Sequence, residues 1–241
     1  MPDQVKIIAP HSAHTHTIIL LHGRDSNASE FATDFLESEA SDGQALPWIF
    51  PTLKWVFPTA MMRKSERFGI EMSQWFDMWT TEAPAEREEL QLEGLNESIS
   101  FVLDVIRQES SVVGAANVVL GGISQGCATA IQALLRGERK LGGFVGFCGW
   151  MPLESEMRTS NRSDNPALRT PVFLSHSRGD EVIPVANGER LCTNLREHMG
   201  MRVDWHCYDN DEHWITEPQG VDEMVKFLEK NLGLIMTTAL C

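Results

Sequence analysis

The sequence predicts an α/β fold, with a mainly parallel central sheet covered by helices on both faces. Three observations carry this. Short apolar runs, each closed by turn residues, alternate with longer stretches of helical period. The chain has 241 residues and is 42% hydrophobic, which suits one domain, 1–241, with a large core. Finally, Asn117-Val-Val-Leu-Gly-Gly-Ile-Ser-Gln-Gly-Cys127 passes from a buried strand (Val118, Val119, Leu120) through a Gly-rich turn into a helix. The apolar positions of that helix are Ala128, Ala130, Ile131, Leu134 and Leu135.

The elements follow in order. Residues 5–9 read as an edge strand. His11-Ser-Ala-His-Thr-His16 spaces three histidines as H-x-x-H-x-H, but no Cys, Asp or Glu nearby completes a ligand set. It is read as a polar turn and not as a metal site. Thr17-Ile-Ile-Leu-Leu-His-Gly23 is a buried strand ending in His-Gly, and the polar loop Arg24-Asp-Ser-Asn27 follows it. The next helix begins near Ser29 and Glu30 and carries Phe31, Phe35 and Leu36. Trp55-Val-Phe-Pro58 is a further short strand.

From about 59 to 95 the period breaks down, while Met61, Met62, Phe68, Met72, Trp75, Phe76, Met78 and Trp79 keep the apolar density high. Such a segment fits a cover over the core or the wall of a pocket. Residues 95–109 form an amphipathic helix through Ile99, Val102, Leu103 and Ile106. Gly143-Phe-Val-Gly-Phe-Cys148 is a strand, followed by Gly149-Trp-Met-Pro152 and a polar surface excursion at 155–166. Pro171-Val-Phe-Leu-Ser-His176 is the next strand and breaks at Ser177-Arg-Gly-Asp180; residues 185–198 are helical. Val203-Asp-Trp-His-Cys-Tyr208 alternates, with Val203, Trp205 and Cys207 on one face. The loop Asp209-Asn-Asp-Glu-His-Trp214 leads to a closing helix at about 218–231.

Acidic residues outnumber basic ones 34 to 20, for a net charge of −14. That argues against nucleic acid and anionic membrane surfaces as partners. No apolar run approaches the roughly 20 residues a membrane helix needs, and Met1-Pro-Asp-Gln-Val-Lys6 lacks the basic start and apolar run of a secretion signal. Pro2 excludes myristoylation, and Cys241 stands last, outside a prenylation box. The five cysteines are scattered and lack metal-type spacing. They read as reduced thiols of a cytoplasmic protein, with Cys127, Cys148 and Cys207 buried.

Gly122-Ile-Ser-Gln-Gly126 fits G-x-S-x-G in a strand–turn–helix setting, the pattern of a nucleophile elbow. Side chains at either glycine would collide in so sharp a turn, and the helix beside the serine aims backbone N–H groups at a reacting carbonyl. It is not a dinucleotide or phosphate loop, since Ile123 stands where a second glycine is needed and no Gly-Lys-Ser/Thr follows. A serine hydroxyl needs a base and an acid that orients the base, in the chain order Ser, acid, His. His198 lies in a helix and His206 inside a strand; His213 follows a strand directly, where an imidazole reaches over the sheet edge, and is the base. Asp180 follows a strand after a tight turn and is the acid, with Glu181 as the next candidate. The loop after His-Gly offers the Arg24 N–H to an oxyanion, and Gln125 offers the other.

With these motifs placed, the chain resembles the phospholipase/carboxylesterase family of α/β-hydrolases, which includes acyl-protein thioesterases and small carboxylesterases. The resemblance rests on Leu21-His-Gly23, Phe57-Pro-Thr-Ala60, Trp75-Phe-Asp77, Gly121-Gly-Ile-Ser-Gln-Gly126, Cys148-Gly-Trp-Met-Pro152, His176-Ser-Arg-Gly-Asp-Glu-Val-Ile-Pro184 and His213-Trp214. It implies an α/β-hydrolase fold, Ser124, Asp180 and His213 as a triad, and Arg24 and Gln125 as oxyanion donors. It also implies that Trp75, Phe76, Trp150 and Met151 lie near an acyl pocket, and that no metal or cofactor is needed. The expected substrate is a small ester or acylated thiol, including S-acylated protein. Short-chain carboxylesterase, lysophospholipase and a hydrolase-fold binding protein with little turnover are the alternatives. In the family the loop after His-Gly usually reads Leu-Gly-Asp or Arg-Gly-Ser; here Asp25 stands in the glycine position.

Overall fold

The computed structural model describes residues 4–154 and 164–234, so most of the polar excursion expected at 155–166 lies outside the described residues. The strands in chain order are β1 Val5–Ile8, β2 His16–Leu21, β3 Leu53–Pro58, β4 Met62–Lys64, β5 Glu71–Ser73, β6 Val118–Ile123, β7 Gly143–Phe147, β8 Val172–Ser177 and β9 Val203–Tyr208. The helices are α1 Ala28–Glu37, α2 Leu46–Ile49, α3 Leu92–Val113, α4 Gln125–Arg136, α5 Val185–Thr193 and α6 Gln219–Leu232. Seven strands form one sheet in the order β1-β3-β2-β6-β7-β8-β9, parallel throughout except for β1. The chain is thus an α/β-hydrolase in architecture, and β6, which leads to Ser124, is the middle strand.

Alternation along the inner strands divides the core in two. Ile19 and Leu21 of β2 and Leu120 of β6 face Leu95, Ile99 and Val102 of α3 and Ile131 and Leu134 of α4. Ile18 and Leu20 face the other way, onto Phe31 and Phe35 of α1 and Val221, Met224 and Phe227 of α6. A strand covered on both faces has no polar side to show, which is why these strands read as continuous apolar runs. Burying each of Phe31 and Phe35, at 3% and 1% exposure, contributes about 2–3 kcal/mol. Asn27 sets the start of α1: its side chain accepts the N–H groups of Ser29 and Glu30, each at 3.0 Å.

Three readings of the sequence change. Helix α3 extends beyond 95–109 at both ends to Leu92–Val113, because residues such as Val112, 66% exposed, add turns without adding to the apolar face. The irregular segment contains a two-stranded hairpin, β4 with β5, whose register (Met62↔Ser73, Arg63↔Met72) has no signature in strands this short. Cys207 is half-exposed, because β9 is an edge strand; Cys127, Cys148 and Cys192 are the buried thiols among the described residues.

Candidate active site

Ser124 sits between β6 and α4 with φ 55 and ψ −122, a left-handed backbone that a non-glycine residue holds only under constraint. The constraint is packing. The Ser124 N–H donates to Phe147 O of β7 at 2.9 Å, and its carbonyl accepts the Ala128 N–H of α4 at 3.0 Å. A Cβ on Gly126 would stand 2.2 Å from Leu21 O, and one on Gly122 would stand 2.6 Å from the same atom. Both glycines let the elbow close onto β2.

Asp180 follows β8 and His213 follows β9, so the sheet's parallel order brings both to the edge where Ser124 emerges. His213 Nδ1–H donates to Asp180 Oδ2 at 2.7 Å, which leaves Nε2 as the basic nitrogen of the ring. The Asp180 side chain is fully buried. Burial raises its pKa, but hydrogen bonds from His176, His213 and the Ile183 N–H outweigh burial and hold the carboxyl well below the usual carboxylate range. Glu181, the second acid candidate, is exposed and is not the partner of His213.

Ser124 and His213 line one cavity of about 410 Å³, together with Gly23, Arg24 and Asp25 of the loop after β2. Its apolar wall is Phe31, Phe68, Met72, Ile123, Val182 and Trp214. Phe68 and Met72 come from the 59–95 segment. Trp75, Phe76, Trp150 and Met151, expected at the pocket, are instead core residues behind it, at 0%, 0%, 3% and 7% exposure. Their work is support. The Gln125 side chain accepts the Trp75 N–H at 2.9 Å and donates to Phe76 O at 2.8 Å, binding that segment to the elbow helix. Trp75 Nε1–H donates to His22 O at 2.9 Å, and Phe76 packs edge-on against Trp150.

At the loop after β2, His22 Nδ1–H donates to Gly23 O at 2.6 Å and Nε2 accepts the Ala60 N–H at 3.0 Å. Gly23 O and the Arg24 N–H belong to one planar peptide and point opposite ways, so the bond that holds the first also aims the second. The Arg24 side chain turns away from that amide: it reaches Gln74 Oε1 at 2.9 Å, Ser65 Oγ at 3.1 Å and Asp77 Oδ1 at 3.4 Å. The Gln125 N–H opens α4, where an amide has no partner within the helix. Asp25 has φ 59, the left-handed region where aspartate is among the few non-glycine residues tolerated. Its N–H donates to Ser73 O of β5 at 2.7 Å.

Among the described residues, the one grouping of three metal-type donors is Cys148, Asp180 and His213, with atoms within 4.8 Å of one another. Burial pushes the Cys148 thiol well above its ordinary pKa, and the Asp180 oxygens already accept the Val182 and Ile183 N–H groups and His213 Nδ1–H. Of the three histidines at 11–16, His11 stacks on Trp48, His14 bonds Thr17, and His16 bonds Thr15.

Known proteins bear on this geometry. The sequence profile of the phospholipase/carboxylesterase family matches residues 2–232. The chain is 30% identical over 224 residues to acyl-protein thioesterase 1 of Yarrowia lipolytica, covering 92% of this chain and 94% of that protein. It is 29% identical over 226 residues to acyl-protein thioesterase 1 of Gibberella zeae, covering 92% of each. The crystal structure of Zea mays acyl-protein thioesterase 2 superposes with a TM-score of 0.76 at 25% identity, covering 95% of this chain and 99% of that one. Arabidopsis thaliana SOBER1 shares the fold with a TM-score of 0.74 at 22% identity, covering 90% and 99%. The chain belongs to the phospholipase/carboxylesterase family of hydrolases.

Proposed function

We propose that this hydrolase cleaves carboxylic ester or thioester bonds through an acyl-enzyme on Ser124. The observation that carries the reading is the meeting in one cavity of a serine on a left-handed elbow and a histidine held at 2.7 Å by a buried aspartate. Ser124 Oγ attacks the acyl carbonyl while His213 Nε2 takes its proton. Asp180 holds the ring with Nε2 free and stabilises the imidazolium as it forms. The Arg24 and Gln125 N–H groups receive the oxyanion, and each such donor typically contributes about 10²- to 10³-fold in rate. His213 then returns the proton to the leaving alcohol or thiol, and water, activated by the same imidazole, releases the acid.

The apolar wall of Phe31, Phe68, Met72, Val182 and Trp214 supports an acyl chain as the group held. The thioesterase relatives support an acylated thiol, including S-acylated protein, as the substrate. The proposed setting is the cytoplasm, for which the scattered cysteines speak. Asp25 on the cavity wall favours one second reading, a hydrolase-fold binder with little turnover, because a carboxylate there opposes a developing oxyanion.

Labelling with a fluorophosphonate, wild type beside Ser124→Ala, tests the reading, with p-nitrophenyl acetate and octanoate turnover in parallel. Wild type labels and turns over; S124A loses the label and at least about 10³-fold in kcat. The octanoate-to-acetate ratio separates a long-chain thioesterase or lysophospholipase from a short-chain carboxylesterase. A wild type that neither labels nor turns over overturns the enzyme reading.

A further inference from the structure

Asp180 is held by more than His213. Oδ1 accepts the Val182 N–H at 2.8 Å and the Ile183 N–H at 2.9 Å; Oδ2 accepts His213 Nδ1–H at 2.7 Å and lies 3.2 Å from His176 Nε2. A carboxylate accepts about four such bonds, so the anion is saturated by two amides and two imidazoles. His176, near the end of β8, is 1% exposed. Its Nε2 also lies 2.8 Å from Ile183 O. Both neighbours of Nε2 are acceptors, so that nitrogen carries the proton and shares it between the loop carbonyl and the carboxylate. Nδ1 is buried without a hydrogen-bond partner among the described residues. It is packed against Gly188 of α5, where a Cβ would stand 2.4 Å from it, and Trp205 of β9 lies 6.4 Å away between ring centroids. Helix, strand and loop fix this ring, and the N–H it offers lies between Ile183 O and Asp180 Oδ2.

We infer that His176 is a positioning residue for the reaction, whose Nε2–H holds the Asp180 carboxylate in orientation and charge and, through it, sets the position and basicity of His213. The inference rests on the proposed roles of Ser124, Asp180 and His213. A buried carboxylate keeps its charge only where donors replace lost water. His176 and His213 both hold Asp180 ionised against burial. Around the pair the titratable groups are His213 and the Cys148 thiol, which lies beside Asp180. Gly188 from α5 and Trp205 from β9 bring no charge. Removing the His176 donor leaves Oδ2 bound by His213 alone. The Asp180–His213 pair then binds its proton more tightly, and its apparent pKa rises.

A ring that merely staples the turn through Ile183 O would cost stability and leave this pKa unmoved. The experiment therefore compares H176L, H176Q and H176N with wild type by fluorophosphonate labelling, thermal melting, and kcat and KM across pH. Glutamine, unlike asparagine, puts an amide nitrogen where Nε2 stands. The expected result for folded H176L is a fall in kcat of about 10- to 100-fold, the range carried by outer partners of functional imidazoles. KM is unchanged, and the acid limb of kcat/KM moves to higher pH. H176Q recovers most of the kcat and the wild-type limb.

A folded H176L with wild-type kcat and acid limb overturns the proposal, as does a folded H176Q as impaired as H176L. If H176L does not fold, H176Q against H176N decides: higher kcat in H176Q supports positioning, and equal kcat overturns it. A labelled, active wild type beside unaltered variants sinks this inference alone. A wild type that takes no label sinks the triad reading and this inference with it.

Discussion

His22 is fully buried at the end of β2, donating from Nδ1 to Gly23 O and accepting on Nε2 from the Ala60 N–H. The bond accepted at Nε2 requires the neutral ring, and burial pushes its pKa down to about 4. The unfolded chain protonates this histidine below its ordinary 6.5, the folded chain only below about 4. Between those values the unfolded state binds more protons, so stability falls as pH drops from 6.5 towards 4. The difference amounts to about 3 kcal/mol. Urea midpoints measured from neutral to mildly acid pH should show that slope in wild type and lack His22's share of it in His22→Asn. At this scale Ser124, Asp180 and His213 were legible, because each stands directly after a strand and the Ser–acid–His order limits the choice. The supporting residues were not. His176 stands four residues before Asp180 in one motif, but that spacing does not say that the ring turns back onto the carboxylate, and Trp75 and Phe76 read as pocket wall because hydrophobicity does not say which side of a cavity a ring occupies.

Helix α3 meets the sheet through a polar contact in an apolar interface. Glu109, 7% exposed, accepts Lys54 Nζ of β3 at 2.7 Å and Thr17 Oγ1 of β2 at 3.0 Å. Removing the carboxylate leaves an ammonium and a hydroxyl without their partner in a largely dry place. Glu109→Ala is expected to cost about 2 kcal/mol, read as a lower urea midpoint with unchanged slope, while the Ser124 label is retained. Elements of long period were readable in the sequence: β2, β6, α4 and α6 lie where the patterns put them. The β4–β5 hairpin was not, since three-residue strands are specified by pairing and by neighbours such as Asp25 and Ser73 rather than by alternation.

The molecule carries a net charge of −14, and Asp25 and Asp34 bring part of it to the cavity that holds Ser124. Arg24 at the same cavity is offset by its ion pair with Asp77. A field of this sign concentrates cationic substrates and repels anionic ones, and salt screens it over roughly 8 Å at physiological strength. With p-nitrophenyl-type esters matched in acyl length, kcat/KM for a cationic ester should fall from low to high salt. A neutral ester should stay flat, and Asp25→Asn should weaken the salt dependence. Among the described residues no helix is long and apolar enough to cross a membrane.

By itself the sequence determined the α/β architecture, the strand–turn–helix elbow and the three residues proposed for chemistry. Those are written in local terms: apolar period, glycine where no Cβ fits, and a polar residue at a strand's end. Tertiary structure decided what depends on neighbours distant in the chain. It set the meeting of Asp180 with His213 from the loop after β9. It also set the anchoring of Trp75 and Phe76 by Gln125, and the choice of Phe68 and Met72 as cavity wall. Hydrogen bonds across 30 or more residues leave no period in a sequence, so only the folded sheet order brings their partners together.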